Sequence, residues 1–173
     1  MATLTETQLI RSRPNALAWL TLSAAMIALD QFSKWLAVAN LQFQQPVPFV
    51  PGFWNWMLTH NTGAAFSFLA DAGGWQHNLF IGLAILISVV LAVALRRTAR
   101  DEWHTALPFA LIIAGALGNV IDRFRLGYVI DFIQWYWRGF HWPVFNVADS
   151  CIVVGAVLMV WFSLRQPHRD KLA

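Results

Sequence analysis

The sequence predicts an all-α membrane protein of four transmembrane helices in a single domain, and three observations predict it. Hydrophobic residues make up 58% of the 173-residue chain and charged residues 12%, and that charged share is about half the soluble average. Apolar runs of spanning length recur four times along the chain. Lys and Arg gather at alternate ends of those runs, as the positive-inside rule requires of successive spans. Cys151 is the only cysteine, so no internal disulfide framework and no C-x-x-C site exists.

The spans fall at about 16–39, 75–95, 103–121 and 147–164 of the domain 1–173. Each is long enough for a tilted helix that satisfies its own backbone hydrogen bonds in lipid. The first span has a second reading, because Arg11 and Arg13 precede it and Ala37-Val38-Ala39 has the form of a cleavage site. The polar stretch Asp30-Gln31-Phe32-Ser33-Lys34 and the length of the segment favour a retained helix. Eight of the twelve Lys and Arg lie before span one, between spans two and three, or after span four. Both termini are therefore expected in the cytoplasm. The basic balance of +3 reports topology and points to no nucleic-acid partner.

With that orientation the connections 40–74 and 123–146 face outward, together with seven of the ten Trp. Interfacial Trp buries an apolar ring while its N–H stays near water. Pro46, Pro48, Pro51 and Gly52 break helix in the first connection, and alternation from Phe53 to Leu58 suits short strands. A half-embedded aromatic platform is expected over the outer leaflet. The stretch 134–142 reads as a bulky variable insert.

Two Asn-x-x-Asp stretches, Asn119 to Asp122 and Asn146 to Asp149, sit at the outer ends of spans three and four. Ionisable groups at apolar boundaries are costly and commonly functional. Asp149 also reads as a helix-capping acid, with Asn146 as the N-cap. Asp122 lies where the helix dipole disfavours an anion, and it reads either as functional or as a partner of Arg123 or Arg125. Gly115 and Gly118 permit close approach on the face that carries Asn119 and Asp122. Asp30 and Lys34 are spaced for a helix ion pair, Asn61 suits a loop turn, and Asp131 is left open between capping and local pairing. The five His form no H-E-x-x-H pattern, so no zinc site is expected. Ser150 and Cys151 have no supporting nucleophile motif. Boundary carboxylates also serve proton-coupled transporters, but the interiors of spans two to four carry essentially no ionisable residue. A noncatalytic membrane scaffold is the other alternative, and it requires both Asp to be dispensable.

The chain resembles the lipoprotein signal peptidase (signal peptidase II) family, bacterial membrane aspartic proteases. The resemblance rests on Asp30 to Lys34, Asn61 to Ser67, Gly118 to Arg123, Val129 to Phe132, and Phe145 to Asp149, in that order over nearly the whole chain. It implies four helices with a small outer-face β-cradle and a short interfacial helix. It implies Asp122 and Asp149 as the catalytic dyad, with Asn119, Arg123 and Asn146 around it. Asp30 and Asn61, with Gly118, match substrate-binding or supporting positions. The implied substrate is a diacylglyceryl-prolipoprotein in contact with membrane lipid. The implied enzyme is a monomer in the bacterial inner membrane, active on the outer side, without metal or cofactor. Two carboxylates at close range cannot both ionise cheaply, so such a pair holds one proton near neutrality.

Overall fold

The computed structural model describes residues 14–63 and 75–165. Arg11, Arg13, Arg169 and Lys171, on which part of the topology argument rests, lie outside the described residues, as does the stretch 64–67. Four helices long and apolar enough to cross a membrane are present. A 3-10 turn over Ala16–Trp19, capped by the Asn15 side chain, leads into α1, Leu20–Asn40. The others are α2, Trp75–Arg97; α3, Trp103–Leu126; and α4, Val147–Arg165. Helix α3 runs five residues beyond the expected 121, because Gly127 adopts a left-handed conformation (φ 83) and its N–H caps the carbonyl of Arg123.

Helix α3 is the central helix, and its buried face is built from small residues: Ala106, Ala110, Ala114, Gly115, Ala116 and Gly118. Lipid tails are as apolar as Leu, so close backbone contact, and not apolar burial, drives helix association here. A Cβ on Gly115 would collide with the Ala148 carbonyl oxygen and with Ile152 Cγ1, so α3 and α4 touch backbone to backbone. On the opposite side, Ser23 Oγ donates to the Ala110 carbonyl at 2.8 Å and pins α1 against α3. At the other end of the bundle, Ala16, Leu95, Ala106 and Ile113 form a buried cluster. The outward faces of α2 and α4 expose Leu, Ile and Val, as lipid-facing helices do.

The aromatic connections form one antiparallel sheet in the order β1-β2-β3-β4: Val47–Val50, Trp54–Asn61, Val129–Trp137 and Phe140–His141. The expected strand over Phe53 to Leu58 is therefore present and longer. The stretch 134–142 belongs to the sheet. It forms the end of β3, the turn at Arg138 and Gly139, and β4, with Gln134 opposite Asn55 and Trp135 opposite Trp54. Asn55 Nδ2 donates to Gln134 Oε1 at 2.9 Å between buried side chains, which fixes the register. No separate outer-face helix occurs among the described residues.

Ala37, Leu58, Ile130 and Phe132 join α1 to the sheet in a second buried cluster. The Ala37-Val38-Ala39 triplet thus lies within a helix whose Ala37 packs on β2 and β3. Phe49, Phe53, Trp135, Trp137, Phe140 and Trp142 remain exposed across the sheet.

Candidate active site

The site begins with the orphan N–H groups at the start of α4, which need acceptors in a water-poor place. Asn146 supplies one, since its Oδ1 accepts from the Asp149 N–H at 2.8 Å, and Asp149 Oδ2 accepts in return from the Asn146 N–H at 3.2 Å. This is the reciprocal capping box anticipated for Asp149. Asp30 reaches across from α1 and accepts the Ala148 N–H at 2.9 Å. Capping occupies only one Asp149 oxygen; the other accepts from Asn119 Nδ2 at 2.7 Å. The cap therefore aims a carboxylate, favoured by the α4 dipole, at the polar face of α3.

Asp122 does not join it. Lys34, only 2% exposed, donates to Asp122 Oδ2 at 2.8 Å and to Asp30 Oδ2 at 2.8 Å. Asp122 Oδ2 also accepts the Ile130 N–H at 3.1 Å, and its Oδ1 accepts Gln31 Nε2 at 2.8 Å. Both oxygens are engaged, and among the described residues no hydrogen bond links Asp149 directly with either Asp122 or Asp131, although Asn146 touches both Asp131 and Asp149. The pair expected of Asp122 and Asp149 is not brought into direct contact: Lys34 holds Asp122 as the anion that balances a buried cation. The Asp122 partnership expected with Arg123 or Arg125 is corrected, since Lys34 holds that position. Asp30 is likewise spent on Lys34 and the α4 cap at 1% exposure, so it supports the site without lining it.

The carboxylate that shares the Asp149 environment is Asp131, at the start of β3 and 2% exposed. Its Oδ1 accepts Asn146 Nδ2 at 2.7 Å and its Oδ2 accepts Asn61 Nδ2 at 3.1 Å. Asn146 therefore touches both acids, one through its amide side chain and the other through its backbone and Oδ1. Burial pushes the Asp131 carboxyl up to about 7, and the charge of Asp149 pushes in the same direction; Asn61, Asn146 and Lys34 partly offset them. Four carboxylates, Asp30, Asp122, Asp131 and Asp149, face two cations, Lys34 and Arg123. Such an excess of buried negative charge favours a retained proton, and among the described residues Asp131 and Asp149 are the two of the four that form no ion pair.

The remaining expected residues divide by role. Asn119 lies at the centre: its Oδ1 accepts Lys34 Nζ and Asn146 Nδ2, both at 3.1 Å, while its Nδ2 faces Asp149. Gly118 is required by space, because a Cβ there would stand 2.9 Å from Asp30 Oδ2 and 3.2 Å from Ala148 Cβ. Arg123 donates to the Asn119 carbonyl at 3.4 Å and lies over the Phe80 ring at 5.5 Å. Among the described residues it forms no ion pair with a carboxylate, so its guanidinium retains unused donors. Asn61, read as a turn residue, does accept the Gly63 N–H at 3.1 Å, and it also donates to Asp131. No group of three or more His, Cys, Asp or Glu is arranged to hold a metal among the described residues.

Sequence reasoning missed Asp131 and Lys34 as site residues. The signal for Asp131 was a lone acid inside the apolar strand Val129 to Ile133, a placement that costs free energy unless the acid is used. Its titration yields an expected result. Below pH 3.8 the proton is bound in both folded and unfolded chains, and between 3.8 and about 7 only the folded chain holds it. The stability contributed by the protonated group is therefore lost as pH rises through that window. Melting in detergent at about pH 5 and about pH 8 should show a larger fall for the parent than for Asp131→Asn. An equal fall in both would show that Asp131 does not hold this proton.

The family described as signal peptidase (SPase) II matches residues 22–165. The chain is 55% identical over 163 residues to the lipoprotein signal peptidase of Xanthomonas campestris pv. campestris, covering 94% of this chain and 98% of that one. It is 60% identical over 146 residues to the lipoprotein signal peptidase of Xylella fastidiosa strain M12, covering 84% and 87%. A bacterial membrane enzyme solved by the in meso method at 2.3 Å resolution superposes with a TM-score of 0.77 at 27% identity, over 90% of this chain and 93% of that one. Four apolar spans, a small antiparallel sheet and a polar site where they meet thus coincide with a match over most of the sequence: the chain belongs to the signal peptidase II family, multi-pass proteases of the bacterial inner membrane.

Proposed function

We propose that this protein is an aspartic endopeptidase that removes signal peptides from diacylglyceryl-modified prolipoproteins, cutting just before the lipidated Cys. The observation that carries the reading is the pair Asp131 and Asp149, bridged by Asn146, with Asp131 raised to about 7. Near neutral pH the pair holds one proton. The ionised member takes a proton from water as the water oxygen attacks the scissile carbonyl carbon. The protonated member donates a hydrogen bond to the carbonyl oxygen and, as the C–N bond breaks, a proton to the leaving amine. The two acids exchange these parts through the cycle, and the apparent pKa values belong to the pair. Water is the nucleophile, so the chemistry calls for neither metal nor cofactor.

Several features support the substrate and location. The relatives at 55% and 60% identity are lipoprotein signal peptidases. The Lys and Arg distribution favours cytoplasmic termini and an outer-face site, within a single domain 1–173. The dyad sits where the helices meet the sheet, so acyl chains can stay in lipid while the peptide bond reaches water. Every proposed catalytic group comes from one chain, which suits a monomer. Arg123, with free donors near the pair, is suited to holding substrate carbonyls, and the exposed aromatic sheet to resting against lipid headgroups.

The test is purified protein in detergent with a synthetic precursor made with and without its diacylglyceryl group. Mass spectrometry should find a product beginning at the lipidated Cys, and only from the lipidated precursor. Absence of cleavage, or equal cleavage of both, would overturn the assignment. Asn61→Ala and Arg123→Ala should each fold and lose roughly tenfold or more in turnover, in the lower range for single positioning or acid-base groups. Asn61→Ala has a further signature: the Asn61 hydrogen bond favours ionised Asp131, so its loss should move the basic limb of the pH profile upward. A downward shift, or failure of either variant to accumulate, would make those residues structural.

A further inference from the structure

The buried Lys34 ammonium uses all three of its protons: on Asp30 at 2.8 Å, on Asp122 at 2.8 Å and on Asn119 Oδ1 at 3.1 Å. Two of these bonds balance charge. The third goes to a neutral amide, and that amide is the one donating to Asp149 at 2.7 Å. An Asn side chain has an acceptor end and a donor end of nearly equal size, so nothing in its shape decides which end meets Asp149. An ammonium can only donate, and it meets only the oxygen end. We infer that Lys34 is a positioning residue for the reaction: by holding Asn119 Oδ1, it turns Asn119 Nδ2 onto Asp149 and fixes where that carboxylate sits. The inference rests on the protease reading above.

An ionised Asp149 selects the same orientation, but a protonated one can meet either end of the amide, so Lys34 is the group that holds Asn119 throughout the cycle. Asn146 Nδ2 also donates to Asn119 Oδ1 at 3.1 Å, but it is shared with Asp131 Oδ1 at 2.7 Å and the Ile130 carbonyl at 3.3 Å. Three acceptors compete for two protons, so the amide is the weaker lock. Gln31 Nε2 lies against Asp122, Asp30 and the Gly118 carbonyl and does not reach Asn119. The charged groups facing Asn119 and Asp149 are Asp30 and Lys34 from α1, Asp122 and Arg123 from α3, and Asp131 from β3. Of these cations, only Lys34 touches the Asn119 side chain.

Lys34→Met leaves Asp30 and Asp122 without their cation and can fail to fold, so the decisive variant is the charge-balanced Lys34→Met/Asp122→Asn. Turnover of a lipidated precursor is measured for it, for Asn119→Ala, and for the three substitutions together. The charge-balanced protein is expected to accumulate, to keep KM within about twofold, and to lose about a hundredfold in kcat, the scale of a small misplacement. Adding Asn119→Ala should then cost at most about twofold more, because two residues acting as one unit are not additive. Full turnover in the charge-balanced variant, or a full separate loss on adding Asn119→Ala, overturns the inference. If the charge-balanced protein fails to accumulate while Asn119→Ala folds, Lys34 serves folding and the inference is also overturned. Parent protein that leaves the precursor uncut rejects the protease reading instead.

Discussion

Asp131→Asn and Asp149→Asn should each give a folded, inserted protein whose precursor cleavage falls by at least about a thousandfold, within the range for loss of a positioned acid-base group. The amide preserves shape and much of the hydrogen bonding, but it can neither take a proton from water nor return one to the leaving amine. The two losses should not multiply in the double variant, because the acids act as one unit. Asp122→Asn should behave differently. It removes one anion from Lys34 and leaves Asp30, so it breaks part of a buried ion cluster at a cost of about 3 kcal/mol. Its signature is lower yield and melting temperature, with turnover per folded molecule reduced far less than in Asp131→Asn. Equal catalytic loss in all three variants, at unchanged stability, would contradict this division of roles.

Gly115→Val should be the most damaging substitution outside the ionisable groups. Its Cβ would fall on the Ala148 carbonyl oxygen and within 2.6 Å of Ile152 Cγ1. The obstacle is α4 backbone, and α4 cannot retreat without dragging the Asn146 cap and Asp149 away from Asn119. Overpacking commonly costs about 1–3 kcal/mol where side chains can yield, and here the opposing atom is backbone. The expected outcome is little accumulation in the membrane. Gly118→Val meets mainly the Asp30 carboxylate and Ala148 Cβ, so protein that does accumulate should have a disturbed Lys34 cluster and weak turnover. Immunodetection of membrane fractions, followed by cleavage assays on purified protein, separates the two. Wild-type levels and activity of Gly115→Val would contradict the packing described here.

The helices were legible because lipid imposes a local rule: every backbone group in a span must be satisfied within the span. Hydropathy and length therefore placed α2 and α4 within two residues, and α1 too once its leading 3-10 turn is counted, while the Gly127 cap extended α3. The sheet was half legible. Alternation marked Phe53 to Leu58, whereas 134–142, crowded with Trp and Tyr, pairs locally in a hairpin at its far end and with β2, more than seventy residues away, at its start. The same non-locality hid the different surroundings of Asp122 and Asp149. Asn119-x-x-Asp122 and Asn146-x-x-Asp149 look equivalent along the chain, but Lys34 arrives from another helix and neutralises only one of them. Asn119 and Asn146 were well placed from spacing alone, since each sits on the helix face or cap that its own segment defines. Asp131 became visible as a partner only once β3 was laid across the start of α4.

The proposed placing of Asp131 and Asp149 at the reacting atoms, with Asp122 balancing Lys34, is tested most directly by a crystal structure with a non-cleavable lipopeptide, diacylglyceryl on its Cys, carrying a secondary hydroxyl in place of the scissile carbonyl. The hydroxyl is predicted to lie within hydrogen-bond distance of both Asp131 and Asp149, with Lys34 still on Asp122. A hydroxyl bound to Asp122 in place of Asp131 would contradict the account.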